Sequence, residues 1–434
     1  MNFQSLKSRL IGIFQKSLVR NTLWMLLAKF LKMIVQAAYF VMIARTLGAQ
    51  QYGLFASLTA LAAIISPFAT WGSGDVLIKN VSRNRALFKE YWGNALLMIF
   101  TSSSVLIALV MLIAPAILPE ETSPLLIFLV FLSDLLFLKI LATAGQAFIA
   151  VSQLKHTAQI HFLLSLKNLV ATLCFVSFFQ TSDIVVWGAL YMASTAITAG
   201  IGFLMVHRML GTPKLAISKI KPEMLQGFYF SVNLCAETVN NNVDKTMLAR
   251  LSTLQATGIY AAAYRLIDVA FVPVQSMLAA SYAKFFQHGA AGIRGSLNLA
   301  KRLSPIAGMY GIAAGIGLFI SAPMVPYIIG EDYREVVNAL RWLAPIPFFK
   351  AMQFFAADTL TGAGFQGLRS SIQVTAALLN FSLNLWLIPL YSWKGAAWSS
   401  LTSDSLRMLS LWLLVFVLYR QEVTRSKRLQ ESEH

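Results

Sequence analysis

Between residues 21 and 419 the chain is a succession of apolar runs, each about twenty residues or longer, joined by short loops. Lipid offers no partner to backbone polar groups, so a run of that length crosses a bilayer as a helix, which satisfies those groups internally. The expected fold class is therefore all-α and polytopic. Twelve spans are predicted, at 21–44, 53–78, 91–118, 123–150, 158–179, 184–206, 226–249, 254–284, 303–329, 336–361, 370–389 and 396–419. Composition agrees, with 57% hydrophobic residues, 12% charged residues and a mean hydropathy of +0.66, well outside the soluble range. Cys174 and Cys235 both fall inside spans and are expected as buried free thiols rather than a disulfide.

The net charge of +17 follows the membrane and does not point to nucleic acid. Every second loop is basic, as at Lys79, Arg83, Arg85 and Lys89, at Arg208 and Lys214, and at Arg420 and Arg425. The alternate loops hold only Arg45, Arg250, Arg334 and Lys394, beside the acids Glu120, Glu121, Glu331 and Asp332. The positive-inside rule then places both termini in the cytoplasm. Residues 1–20 are expected as a retained N-terminal tail, since the apolar run after them is too long for a signal peptide, and 421–434 as a C-terminal tail.

One short signature occurs twice, 205 residues apart. Met42-x-Ala44-Arg45-x₄-Gln50-x₂-Gly53-x-Phe55-Ala56-x₄-Leu61 returns as Met247-x-Ala249-Arg250-x₄-Gln255-x₂-Gly258-x-Tyr260-Ala261-x₄-Leu266. Six spans separate the copies, so the halves enter the membrane with the same orientation, and a parallel repeat is expected. The expected division is an N-lobe at 21–208, a cytoplasmic linker at 209–225 and a C-lobe at 226–420. Pro67 and Pro273 fall at matching places after the two signature glycines. Each removes a helical hydrogen bond, as a packed kink or as a bow around a central cavity.

The chain carries no Walker A loop, no His/Cys cluster at metal spacing and no nucleophile elbow. Its outer loops are too short for an acceptor site of an embedded polymerase or ligase. Transport is the expected activity, without enzyme chemistry and without a cofactor.

Ionisable residues at membrane depth are costly and default to functional candidates. In the first half these are Lys29, Lys32, Asp134, Lys139 and Lys167. Four lysines facing so few acids suggest a water-filled cavity with a cationic wall, suited to an anionic substrate. The alternative is pairing with acids of the other lobe. The second half adds Glu237, Asp244, Lys245, Arg265, Asp268, Arg341, Lys350, Asp358, Asp404 and Arg407. Arg265/Asp268 and Asp404/Arg407 are spaced for ion pairs on one helix face; Lys245 and Arg341 lie towards helix ends, where they could snorkel. The expected cationic cavity comprises Lys29, Lys32, Lys139, Lys167, Arg265, Lys350 and Arg407. Asn233, Glu237, Asn240, Asn241 and Asp244 form one polar stripe along span seven. With Asp268 and Asp404 they are candidates for glycan contact or ion coupling, and interhelical hydrogen bonding is the alternative.

Two stretches carry a family resemblance. Ala44-Arg45-Thr46-Leu47-Gly48-x₃-Tyr52-Gly53-Leu54-Phe55, followed by Gly72 to Lys79, resembles the N-terminal signature of the polysaccharide-transporter family. Asn242-x-Asp244-Lys245 with Gly258-Ile259-Tyr260-x-Ala262-x-Tyr264-Arg265-Leu266 is similar to that family's second-half signature. These motifs shade into other members of the multidrug/oligosaccharidyl-lipid/polysaccharide superfamily. The resemblance implies a Wzx-type flippase of the bacterial inner membrane, working by alternating access in O-antigen, capsule or exopolysaccharide synthesis. It further implies an undecaprenyl-diphosphate-linked oligosaccharide as substrate, the lipid bilayer as medium, and H⁺ or Na⁺ as candidate coupling ions. A polysaccharide polymerase and a chain-length regulator are the candidate protein partners. The rivals are a multidrug antiporter of the same superfamily, a lipid II flippase relative, a major-facilitator transporter and, from another class, a membrane polymerase or ligase.

Overall fold

The computed structural model describes the backbone of residues 3–120, 122–179, 183–290 and 292–432. Side chains are described over the same ranges except 3–32, 154, 219–226, 229–230, 233, 236–237, 240, 283 and 425–432. The elements are α1 (Phe3–Thr70), α2 (Ser73–Arg83), α3 (Phe88–Ile117), α4 (Pro124–Phe131), α5 (Leu138–Ala150), α6 (Leu154–Cys174), α7 (Ile184–Leu210) and α8 (Ile220–Leu251). They continue with α9 (Leu254–Gly289), α10 (Ile293–Ser321), α11 (Val325–Ile329), α12 (Val336–Leu343), α13 (Ile346–Gly362), α14 (Gln366–Tyr391) and α15 (Trp393–Ser432). Every predicted span falls on helix, and the described residues contain no strand.

Several boundaries differ from expectation. Spans one and two form one run, α1, broken only at Gly48 (φ 69°). The second span then breaks at Trp71 and Gly72, both at positive φ, before α2. Span four is α4 and α5 joined by a π turn at Leu132–Phe137. Span ten divides into α12 and α13 at Ala344–Pro345, where proline ends the hydrogen-bond ladder. The basic stretch expected as a loop at 285–302 is mostly helix, because α9 runs on to Gly289 and α10 starts at Ile293. Glu422 of α15 caps that start, its carboxylate accepting from the Ile293 N–H at 2.8 Å. The stretch between the halves is likewise held: Asn94 of α3 donates to Ala216 O and accepts from Ala216 N, both at 2.9 Å.

The repeated signature marks where the halves meet. A Cβ on Gly53 would run into the Leu254 carbonyl and the Gly258 nitrogen, and one on Gly258 into the Ala49 carbonyl. The second segment of α1 and the start of α9 therefore cross backbone to backbone. Around this crossing one core draws on both halves, including Tyr39, Phe55, Trp187, Tyr260, Tyr333 and Leu340. Tyr333 also donates to Ala44 O at 3.2 Å and Arg45 to Tyr327 O at 3.2 Å, closing the signature end. Towards the opposite end the cores separate. One packs α2, α3, α5 and α7 about Trp92 and Phe148; two others pack α9, α10, α13 and α15 about Phe285, Phe355 and Leu411.

The halves stay joined along one side, where α8 lies against α1. Ser231 donates to Pro67 O at 2.9 Å, Cys235 to Ile64 O at 3.3 Å, and Gly227 packs on the Trp71 carbonyl. Pro67 cannot donate to Ala63 O, and Ser66 Oγ supplies that bond at 3.0 Å.

Candidate functional site

A cavity of about 600 Å³ opens between α1, α8, α9, α13, α14 and α15. Met33 and Gln36 reach it from α1; all its other lining residues belong to the second half. Lys245, Arg265, Lys350 and Arg407 line it, and among the described residues Asp268 is the single lining carboxylate. Asp404 sits behind Arg407, 2.6 Å from its guanidinium. With Asp244 beneath Lys245, four formal positive charges stand against three carboxylates, an excess of one among the described residues. In a cleft with low-dielectric walls such an excess draws anions.

The cations are held in order. Lys350 lies 3.4 Å from Asp268 and 5.4 Å from the centre of the Tyr264 ring. Lys245 approaches the same ring at 5.2 Å and donates to Asn241 O at 2.9 Å. Arg407 donates through Nε to Gln353 Oε1. That bond fixes the Gln353 amide, whose Nε2 is buried without a partner among the described residues. A donor left so is costly until a ligand accepts from it. Arg265 makes no ion pair among the described residues, since Asp268 turns to Lys350 rather than to its neighbour at i−3. Amides of Gln36, Gln275, Gln373, Asn241 and Asn242 complete a lining able to exchange hydrogen bonds with sugar hydroxyls.

Asp244 lies beneath this surface. Its carboxylate accepts from Tyr260, from Ser400 at 3.4 Å and from the Lys245 N–H at 2.8 Å, tying α8, α9 and α15. The one aromatic exchange in the signature is thereby explained. Asp244 stands 205 residues from Tyr39, its counterpart in the repeat. Tyr260 needs a hydroxyl for Asp244, whereas Phe55 packs on Trp187 and Tyr191 with ring centres 5.7 and 5.2 Å away.

The first-half lysines are placed differently from expectation. Lys167 is buried, donates to Thr195 Oγ1 at 2.8 Å and Asn168 Oδ1 at 3.0 Å, and lies 4.2 Å from the Tyr191 ring centre. Lys139 donates to Ser66 Oγ at 2.9 Å. Asp134, on the π turn, accepts from Tyr191 at 2.8 Å. Neither lysine lines the cavity: hydroxyls and an aromatic face take the place of the expected water-filled wall. Among the described residues the cationic wall belongs to the second half.

Arg265, Lys350, Arg407, Asn241 and Asp268 of the expected set are brought together, and Asp404 supports Arg407. The side chains of Lys29, Lys32, Asn233, Glu237 and Asn240 lie outside the described residues. Lys245, expected to snorkel, stands on the cavity wall. Gln353 and Gln373 carried no signal in the sequence, being neutral amides in apolar runs.

The fold has known counterparts. An inward-facing multidrug resistance MATE family transporter of the MOP superfamily superposes with a TM-score of 0.71 at 13% identity, over 89% of this chain and 96% of that one. The lipid II flippase MurJ, in an inward closed conformation, superposes with a TM-score of 0.69 at 13% identity, over 90% and 86%. A MOP superfamily transporter from Pyrococcus furiosus, described by a binding pocket of reversed polarity, gives a TM-score of 0.59 at 14% identity, over 91% and 95%. No curated protein matches the chain. At these identities the likeness is one of fold, and it is a fold of multi-pass membrane transporters and flippases. The sequence itself goes further: the model of the family described as polysaccharide biosynthesis protein matches residues 18–286, more than half of the chain, and the chain belongs to that family.

Proposed function

We propose that the chain is a flippase for a lipid-linked oligosaccharide. The observation that carries this reading is the cation-rich, amide-lined cavity of about 600 Å³ in a member of the polysaccharide biosynthesis family. An undecaprenyl diphosphate bearing a sugar repeat unit presents two anionic phosphates and many hydroxyls, the chemistry that Lys350, Arg407, Lys245 and the amides complement. Lys29 and Lys32, whose side chains lie outside the described residues, are kept as candidate diphosphate contacts on the strength of the sequence. Lys139 and Lys167 hold the first half in shape beside the cavity.

The lobes, 21–208 and 226–420, rock about the charged cleft so that the signature end and the opposite end open in turn, with both termini in the cytoplasm of a bacterial inner membrane. The prenyl chain stays in the bilayer. H⁺ or Na⁺ drives the cycle, with Glu237 and Asp244 as the coupling candidates. A polymerase and a chain-length regulator receive the product. A multidrug antiporter shares the fold, but a net positive cavity repels the cationic compounds that such a site would take.

A strain lacking the gene tests this. Lipid-linked repeat units should accumulate on the inner leaflet and return to normal with the wild-type chain. Unchanged surface polysaccharide in the deletion strain would contradict the reading.

A further inference from the structure

A second cavity, of about 280 Å³, adjoins the first away from the signature end. The two share Phe271, Gln275 and Phe354 as walls, so they lie side by side. The smaller chamber has an apolar wall at Phe271, Leu278, Tyr282 and Phe354, and one cation, Arg369, beside the carboxylate of Asp358.

Arg369 stands in the first turn of α14, across the short connection from Asp358 near the end of α13. Its Nη1 is 3.9 Å from Asp358 Oδ1, a loose ion pair, while the same nitrogen donates to Thr361 Oγ1 at 2.7 Å. A guanidinium carries five N–H donors in a planar fork. Among the described residues only Thr361 and Asp358 engage it, which leaves donors for a bidentate anion. A cation with spare donors against an aromatic and aliphatic wall suits an amphiphile whose anionic head is joined directly to hydrocarbon.

Arg369 is also the last of a series. Lys350 pairs with Asp268 at 3.4 Å, Arg407 with Asp404 at 2.6 Å and Arg369 with Asp358 at 3.9 Å, in order away from the signature end. The Arg369–Asp358 contact is the longest of the three, so an arriving anion can come closer to the guanidinium than its carboxylate does.

We infer that Arg369 is the first protein contact of a polyprenyl diphosphate, with Asp358 as the counter-ion that the diphosphate displaces and Phe271, Leu278, Tyr282 and Phe354 lying along the first isoprene units. This rests on the flippase reading and assigns it an inner binding site.

The test is equilibrium binding of undecaprenyl diphosphate to the full chain in nanodiscs, with thermal unfolding recorded for each variant. Arg369→Gln should weaken binding about tenfold or more, the loss expected for hydrogen bonds to a charged group. Arg369→Lys should recover part of it. Asp358→Asn should strengthen binding several-fold, because the competing carboxylate is gone. That opposite sign separates the proposal from a structural role, in which both variants weaken binding or neither changes it; either result would overturn the site. Inorganic pyrophosphate should compete at least about tenfold less well than the lipid, since it cannot use the apolar wall; equal competition would overturn the lipid assignment. If the wild-type chain binds no undecaprenyl diphosphate, the flippase reading falls with the site. If it binds and the Arg369 and Asp358 variants bind alike, only the site falls.

Discussion

Lys167 and Lys350 are both lysines at membrane depth, and their surroundings give them different work. Lys167 is enclosed by Thr195, Asn168 and the Tyr191 ring, so its charge is spent inside the protein. Lys350 lines the cavity and shares Asp268, whose side chain is 51% exposed, at 3.4 Å. An ion pair so open contributes little to stability. Lys350→Gln should therefore change stability by no more than about 1 kcal/mol and cut transport of a diphosphate-linked lipid about tenfold or more. Lys167→Met takes a donor from Asn168 and from Thr195, which keeps only Ser133 as a donor among the described residues, at 2.9 Å, and should cost about 1–3 kcal/mol of stability. Thermal unfolding and vesicle transport on the same two variants separate the roles; the reverse pattern would return the substrate to the first half. Residue spacing predicted the Asp404/Arg407 pair because both partners lie on one helix, one turn apart. It missed Asp268 with Lys350, which meet across 82 residues of sequence from helices whose rotation no local pattern encodes.

At the scale of elements, the two signature copies make their turns by different means. Gly48 passes the chain through φ 69°, whereas its counterpart Thr253 is extended and caps α9, accepting from Ala256 N at 3.1 Å. The departure of the second copy from the first is thus a change of turn chemistry. The glycines both copies keep, Gly53 and Gly258, are fixed by the helix crossing. Gly53→Ala and Gly258→Ala should each lower stability by about 1–3 kcal/mol or more, because the new Cβ meets backbone that cannot rotate away. Gly200→Ala, in α7 with open space around its Cα, should be neutral or stabilising by up to about 1 kcal/mol. Equal melting temperatures for all three would refute the crossing. The sequence made the recurrence of these glycines visible but not their mutual contact, since repetition alone does not say which copies touch. Helix existence was legible throughout from apolar length. The breaks at Trp71–Gly72 and Ala344 had local marks in Gly72-Ser73-Gly74-Asp75 and in Pro345, but the apolar length of each run does not reveal whether such residues break a helix or are packed within it.

For the whole molecule, the shared core at the signature end and the separate cores at the other describe two halves hinged around a charged cleft. Alternating access requires the closed end to part. Arg45 reaches Tyr327 O there at 3.2 Å. Cysteines at both positions, joined by a short crosslinker with an internal disulfide, should stop transport, and a reductant that cleaves it should restore transport; undiminished transport in the crosslinked protein would show that this end stays shut. Parallel duplication was readable from the 205-residue offset. The side of the cavity that carries the charge was not, because Lys139 and Lys167 meet their partners, the hydroxyls of Ser66 and Thr195 and the nearby carboxylate of Asp134, across helices rather than at a local spacing. Leaflet transfer of undecaprenyl-diphosphate-linked oligosaccharide can be followed in proteoliposomes containing the purified chain. Wild-type protein should expose the oligosaccharide to an external glycan-binding probe, and a folded Lys350→Gln/Arg407→Gln variant should not. Transfer by the double variant at the wild-type rate would contradict the account.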